Sequence, residues 1–247
     1  MRFFIELSYK GTDYHGWQVQ PNATSIQSEI NKAISTIFNT EIEVTGAGRT
    51  DAGVHAKQMF AHFDLLEEFD ISQTISKLNG VLPKDIAIIN IYKVNDNAHS
   101  RFDAISRTYH YYLIQQKNSF KQDTYLIHKS LNVIAMNKAC SFLLGEQDFT
   151  SFSKANTQNI TNNCNVMLVK WEQIEDELVF TIQADRFLRN MVRAIVGTLL
   201  KVGEGKMSVE DIKVIIAKKD RCSAGVSVPS HALFLSKVEY PKHIFNG

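Results

Sequence analysis

Cysteine is scarce in this chain. Its 247 residues include three, Cys140, Cys164 and Cys222, far apart and without a C-x-x-C pair. An odd number at such spacing argues against a disulfide framework and a zinc site, and for a reducing, cytoplasmic setting. Long apolar runs are missing as well: none approaches the roughly 20 residues that span a bilayer. The opening stretch MRFFIELSYKG holds one arginine, a short alternating run and an acid, so neither a signal nor a transit peptide is expected. There is little excess charge. Lys and Arg number 27 against 26 Asp and Glu, a net charge of +1, which excludes a polycation. No low-complexity segment or flexible linker interrupts the chain.

What is present describes a soluble globular protein with a core: 44% hydrophobic and 21% charged residues, enough chain for one large domain or two of ordinary size. The charge is unevenly placed. Residues 1–104 carry 9 basic against 13 acidic side chains, a balance of −4, and residues 105–247 carry 18 against 13, a balance of +5. That asymmetry is compatible with a nucleic-acid face built mainly by the second half, and equally with ordinary scatter.

One stretch stands apart: Gly46-Ala47-Gly48-Arg49-Thr50-Asp51-Ala52-Gly53-Val54-His55-Ala56, set between two apolar, strand-like runs. A dinucleotide fingerprint, G-x-G-x-x-G, fails because its third glycine falls on Asp51, a carboxylate where a pyrophosphate would lie. A P-loop fails because Val54 and His55 follow Gly53 in place of lysine and a hydroxyl. Asp51 and His55 alone do not make a metal site. Two readings remain: a rigid loop presenting one carboxylate beside Arg49, or a tight turn whose Asp51 caps backbone amides and pairs with Arg49.

Along the chain, alternation predicts a strand over Arg2–Tyr9, then a glycine-containing loop in which Trp17 either plugs the core edge or forms a binding wall. Ser25 opens a helix with Ile26, Ile30, Ala33, Ile34 and Ile37 on one face. Strands are expected over 41–45, 57–65 and 86–94, with a helix over 71–82 stopped by Gly80 and Pro83. His62 reads as a satisfied sheet residue. The second half loosely repeats the plan. It has a strand over 107–115, a helix over 135–144, a polar loop over 145–163 and a hairpin of 166–171 with 178–184. An apolar helical stripe from Leu188 to Leu200, a short helix over 212–216 and a closing strand over 233–238 complete it.

Three further features carry chemistry. Ala98-His99-Ser100-Arg101-Phe102 is a basic turn at the junction, either an RNA contact or a linker with a solvated arginine. Tyr109 lies on a strand beside Arg107 and His110, either structural or placed as strand aromatics are when they stack on RNA bases. Arg189-Asn190-Met191-Val192-Arg193 opens an otherwise apolar helix, where a buried arginine needs an anionic partner. Together they suit an enzyme that works on a base extruded from folded RNA.

These residues also resemble the tRNA pseudouridine synthase A family. GAGRTDAGVHA is similar to its active-site motif. YKGTDYHGWQVQP, the 98–102 turn, SRTYHYYL, FLLGEQDFTSF and FLRNMVRAIVGTLLKVG resemble its other motifs, six in order over nearly the whole chain. The resemblance implies an α+β fold of two ferredoxin- or RRM-like halves forming a central, mostly antiparallel sheet flanked by helices, with the active-site cleft between them. Residues 1–104 would carry the catalytic aspartate loop. Residues 105–247 would bind tRNA and complete the cleft. Asp51 would be the nucleophile towards a flipped uridine at positions 38–40 of the anticodon stem-loop, attacking at C6 or C1′ or acting as a base towards a glycal. Arg49 would help extrude the base, Tyr109 would stack on the uracil, and Arg193 would pair with Asp51 and keep it charged. Arg101, Arg107 and Arg189 would bind the RNA. Phe187, Leu188 and Arg189 stand where family members often carry histidine, which bears on specificity. No cofactor or metal is implied; the partners are tRNA and a second copy of the chain, with no membrane. The rivals are a non-catalytic RNA-binding module, which has no need of a loop carboxylate, a synthase acting at other RNA positions, and a glycosidase-like hydrolase, which lacks a second acid near Asp51.

Overall fold

The computed structural model describes residues 1–154 and 160–245. The chain divides into two compact units, residues 1–106 with 234–247, and residues 107–233.

The first unit runs β1 (Arg2–Tyr9), α1 (Ile26–Phe38), β2 (Thr45–Gly46), β3 (His55–Asp64), α2 (Ile71–Val81) and β4 (Ile86–Val94). β1 is central, antiparallel to β3 (Phe4 opposite His62) and to β4 (Phe4 opposite Tyr92). The outer side of β3 is shared. β2 pairs at one end, Thr45 with His62. At the other end, Phe234 and Leu235 of the closing strand (Leu233–Glu239) run parallel to His55 and Ala56. The sequence places that strand in the second half; residues 234–247 group with the first unit.

Helix α1 starts where its cap dictates. Ser25 and Ser28 form a reciprocal capping box, and Asn39 closes the helix in the left-handed region at φ 49°. Its buried Ile26, Ile30 and Ile34 lie at the spacing the sequence shows. The strand expected over 41–45 shrinks to Thr45–Gly46, and the reason is local. Asn31 Oδ1 accepts from Val44 N (3.0 Å), Ser35 Oγ accepts from Ile42 N (3.0 Å), and Gln27 Nε2 donates to Val44 O (2.8 Å). Side chains of α1 thus take the backbone bonds that a ladder would have used.

Both faces of β1 and β3 are buried. On one, Phe3 and Phe63 stack 5.6 Å apart and meet Phe38 of α1. On the other, Phe4, Phe60 and Tyr92 are covered by Tyr240 and Phe245. His62 sits on that second face, buried, its Nδ1 2.8 Å from Ser100 Oγ and accepting from Ser100 N (3.3 Å). It is a satisfied sheet residue, as expected.

Burial, with the charges of Arg2 and His99 added, pushes His62 down to about 4 from an ordinary 6.5, against the opposing pull of Asp64 and Asp103. The unfolded chain therefore takes up a proton at higher pH than the native one. Stability should be full above about pH 6.5 and fall as pH drops from there towards 4. His99 is shifted the same way, so His62→Gln should flatten part of this slope in urea titrations at a series of pH values. An unchanged slope would show that His62 does not carry it.

The second unit contains β5 (Ser106–Ile114), β6 (Tyr125–Leu126), α3 (Val133–Cys140), β7 (Gly145–Asp148), β8 (Asn163–Ile174), β9 (Glu177–Ala184), α4 (Met191–Gly203) and α5 (Asp211–Lys218), leading into β10, the closing strand. Its sheet runs β5-β9-β8-β7, antiparallel throughout, with β6 parallel to β5. In the first unit β1 is followed by α1, two strands and α2, with β3 next to β1; in the second, leaving aside the short β6 and β7, β5 is followed by α3, β8, β9 and α4, with β9 next to β5. That is the split βαβ arrangement of ferredoxin-like folds, so the loose repeat is one of topology.

Several expectations are corrected here. The polar loop over 145–163, which lies partly outside the described residues, begins with strand β7, Gly145 opposite Val166. The helix over 135–144 ends at Cys140 and tightens into a 3-10 turn at Ser141–Leu143. The β8–β9 turn is shorter than expected, Glu175-Asp176, with Glu175 at φ 52°. Helix α4 begins only at Met191, because Asn190 is left-handed at φ 67°; Arg186 and Arg189 precede it. Eleven of its residues are buried, as befits a helix apolar on almost every side. Gly197 permits its closest contact: a Cβ there would stand 1.9 Å from Val226 O. Among the described residues no helix is long and apolar enough to cross a membrane. Cys140 and Cys164 are buried thiols pushed up to about 12 by burial, so neither is reactive.

Candidate active site

The glycine loop leaves β2 at Gly46 and re-enters the sheet at His55. Between them it is pinned at many points by residues 9–17. Tyr9 Oη meets Thr50 Oγ1 at 2.8 Å, Trp17 N donates to Thr50 O (3.1 Å) and Gly53 N to Tyr14 O (3.3 Å). Gly11 N donates to Nδ1 of the fully buried His55 (3.1 Å), whose ring stacks on Phe234 at 4.5 Å. Trp17 is 1% exposed and is a plug, not a wall: a Cβ on Gly46 would stand 2.5 Å from its indole. Gly11 and Gly16 are equally constrained, with Cβ positions 2.1 Å from Val54 O and 2.4 Å from Thr50 O. The two loops are packed backbone to backbone, which only glycine allows.

Asp51 is half-buried at the crest of this loop, and its carbonyl accepts from Val54 N (3.1 Å) to close a turn. Arg49 is exposed; its Nε donates to Gln18 Oε1 (3.1 Å). His55 is spent on joining the loops, and among the described residues no group of three or more His, Cys, Asp or Glu could hold a metal ion. What the loop offers is a carboxylate on a pinned backbone.

Arg101 also belongs to the first unit. Its turn is fixed by buried Ser100, whose Oγ donates to Thr45 O (2.7 Å). Arg101 itself is exposed, its guanidinium 5.7 Å from the centre of the Phe102 ring.

Tyr109, Arg107, Arg189 and Arg193 belong to the second unit. Tyr109 lies opposite Ile182 on β5, its ring edge-on to Phe187 at 5.1 Å. Arg107 spends an Nη1 proton on Asp185 O (2.7 Å). Arg189 is exposed. Arg193 is half-buried in the first turn of α4; its Nε donates to Val228 O (2.7 Å), and Val228 N returns a bond to Arg193 O (3.2 Å). The 225–228 segment is fixed in turn by Arg221 on Gly225 O and Ser227 Oγ, and by Asn190 on Ser227 Oγ. Within its own unit, then, Arg193 Nε is bound to a carbonyl.

Sequence reasoning did not single out Tyr9, Gly11, Gly16 and Gln18 as parts of the site. The available signal was the pair of glycines flanking Tyr14 and His15, which marks a loop needing close approach.

A model of the tRNA pseudouridine synthase family matches residues 7–103 and 139–241, and the chain belongs to that family. Among its relatives, tRNA pseudouridine synthase A of Bacteroides fragilis is 54% identical over 248 residues, covering 99% of this chain and 98% of its own length. The protein of that name from Porphyromonas gingivalis is 51% identical, covering 99% of each. That from Francisella tularensis subsp. novicida is 39% identical, covering 98% and 95%. The resemblance drawn from six motifs thus extends along almost the full length.

Proposed function

We propose that this protein isomerises uridine to pseudouridine in the anticodon stem-loop of tRNA, at positions on its 3′ side, with Asp51 as the nucleophile. The observation that carries the reading is the glycine loop itself: a single carboxylate held by backbone-to-backbone packing, in a chain of this family. In the reaction the N1–C1′ bond breaks, the uracil turns, and a C5–C1′ bond forms. The proton leaves C5 and N1 takes one up. Atoms balance without oxidant, reductant or water, so no cofactor or metal is called for. Arg49 helps displace the base, Tyr109 stacks on the uracil, and Arg193 is the cation assigned to Asp51. Arg101, Arg107 and Arg189 contact the RNA. Catalysis falls to residues 1–104 and tRNA binding mainly to 105–247. The enzyme works in the cytoplasm as a homodimer.

Purified protein incubated with unmodified tRNA should produce new carbodiimide-dependent stops to reverse transcription in the anticodon stem-loop; absence of stops there would sink the proposal. Tyr109→Ala should slow single-turnover conversion by about tenfold or more, since base–aromatic stacking contributes about 1–3 kcal/mol, while the Kd for tRNA changes much less. A loss confined to affinity would make Tyr109 a docking residue.

A further inference from the structure

Arg49 is exposed yet not loose, and the reason lies in two glutamines outside the glycine loop. Gln27 is 9% exposed and its amide has one possible orientation. Val44 O can only accept and takes Gln27 Nε2 (2.8 Å); Val19 N can only donate and gives to Gln27 Oε1 (2.9 Å). The same Oε1 requires a donor from Gln18, which supplies Nε2 at 2.9 Å. The Gln18 oxygen is thereby turned towards Arg49, whose Nε can only donate, at 3.1 Å. Each contact in the chain Arg49–Gln18–Gln27–Val44 sets a donor against an acceptor, and no amide can flip without placing like groups face to face.

We infer that Gln18, oriented by Gln27, is a positioning residue for Arg49: it occupies Nε, so the guanidinium can meet the RNA only end-on, through Nη1 and Nη2. Among the described residues those two nitrogens have no hydrogen-bond partner. An arginine fork of this kind suits the two non-bridging oxygens of a phosphodiester. Space beside it is open as well, since a Cβ on neighbouring Gly48 would meet nothing within 4 Å, leaving the backbone accessible to a close-fitting ligand. Preorganisation is the gain. A free arginine surrenders rotamer entropy on binding, whereas one already held by its Nε surrenders less.

The inference rests on the proposed role of Arg49 in handling RNA, and a double-mutant cycle separates the two. Gln18→Met keeps the side chain's length and removes both hydrogen bonds. Single-turnover rates and Kd for unmodified tRNA, over a salt series, are measured for Gln18→Met, Arg49→Ala and the double variant, with thermal midpoints alongside. Gln18→Met should slow conversion by about tenfold, the scale of one hydrogen bond to a charged group, and leave the salt slope unchanged because the guanidinium is still there. Arg49→Ala should reduce the slope by about one. In the Arg49→Ala background the Gln18 substitution should cost less than about twofold, because residues acting through one another are not additive. Should Gln18→Met itself prove unfolded, Gln18→Ala carries the same cycle. Additive losses, or a silent Gln18→Met beside a costly Arg49→Ala, overturn the relay and leave the role of Arg49 standing. A silent Arg49→Ala overturns that role and the relay with it.

Discussion

Asp51→Asn is expected to abolish pseudouridine formation while tRNA binding stays measurable. The substitution keeps the shape of the side chain and one acceptor oxygen, so the loop that holds it should not move: its supports are backbone bonds from Trp17 and Gly53 and the Tyr9–Thr50 hydroxyl pair. What is lost is the charge and the nucleophilic oxygen. Removing a nucleophile leaves only the rate supplied by binding and positioning, and losses on the order of 10⁴-fold or more are usual. Binding should change in the opposite direction, if at all, because one negative charge facing a phosphate backbone is removed. The measurement is carbodiimide-dependent stops over a time course, with Kd from filter binding at fixed salt. Conversion by the Asn variant at the native rate would return Asp51 to the role of a turn cap. Loss of conversion together with loss of binding would place it in docking.

The legibility of this site in the sequence was uneven, and the pattern has physical causes. Elements whose signals are local came through. Ser25 caps α1 as its hydroxyl suggests, β4 spans Ile86–Val94, and His62 is a satisfied sheet residue. Signals that depend on distant chain did not. No periodicity in Glu41–Thr45 reveals that Asn31, Ser35 and Gln27 will take its backbone bonds, since those partners are helical neighbours 7 to 17 residues away. The parallel pairing of Phe234 with His55 joins residues 179 positions apart (234 − 55), and nothing near either one announces it. Helix α4 starts later than its apolar stripe suggests because Asn190, a residue that tolerates left-handed backbone, reads in sequence like any polar helix position. At the glycine loop, chemistry excluded two nucleotide-binding motifs but could not choose between cap and catalyst. The family motifs made that choice, and the structure added what neither supplied: the second loop, residues 9–18, that makes the first one rigid.

Gly11→Ala tests that rigidity, and its expected effect is large for so small a change. The added methyl would lie 2.1 Å from Val54 O and 2.8 Å from Val54 C, both backbone atoms, so no rotamer relieves it. Neither side can easily retreat. Gly11 is tied by its own N–H to His55 Nδ1 and by its carbonyl to Tyr14 N, and Lys10 N holds Asp85 O. Val54 is 2% exposed and closes the turn onto Asp51 O. A shift of about 1 Å is therefore passed to the turn that carries Asp51. Overpacking and a strained turn together should lower stability by about 2–4 kcal/mol, and displacement of the reacting group by this amount costs on the order of 100-fold in rate. Gly48→Ala is the control within the same loop: with no atom within 4 Å of its Cβ, it should keep the native thermal midpoint. Thermal unfolding and single-turnover conversion of both variants decide the matter. A Gly11→Ala protein that melts and reacts like the native one would mean that the two loops are not rigidly joined. Asp51 would then have to be positioned by the bound RNA and not by residues 9–18.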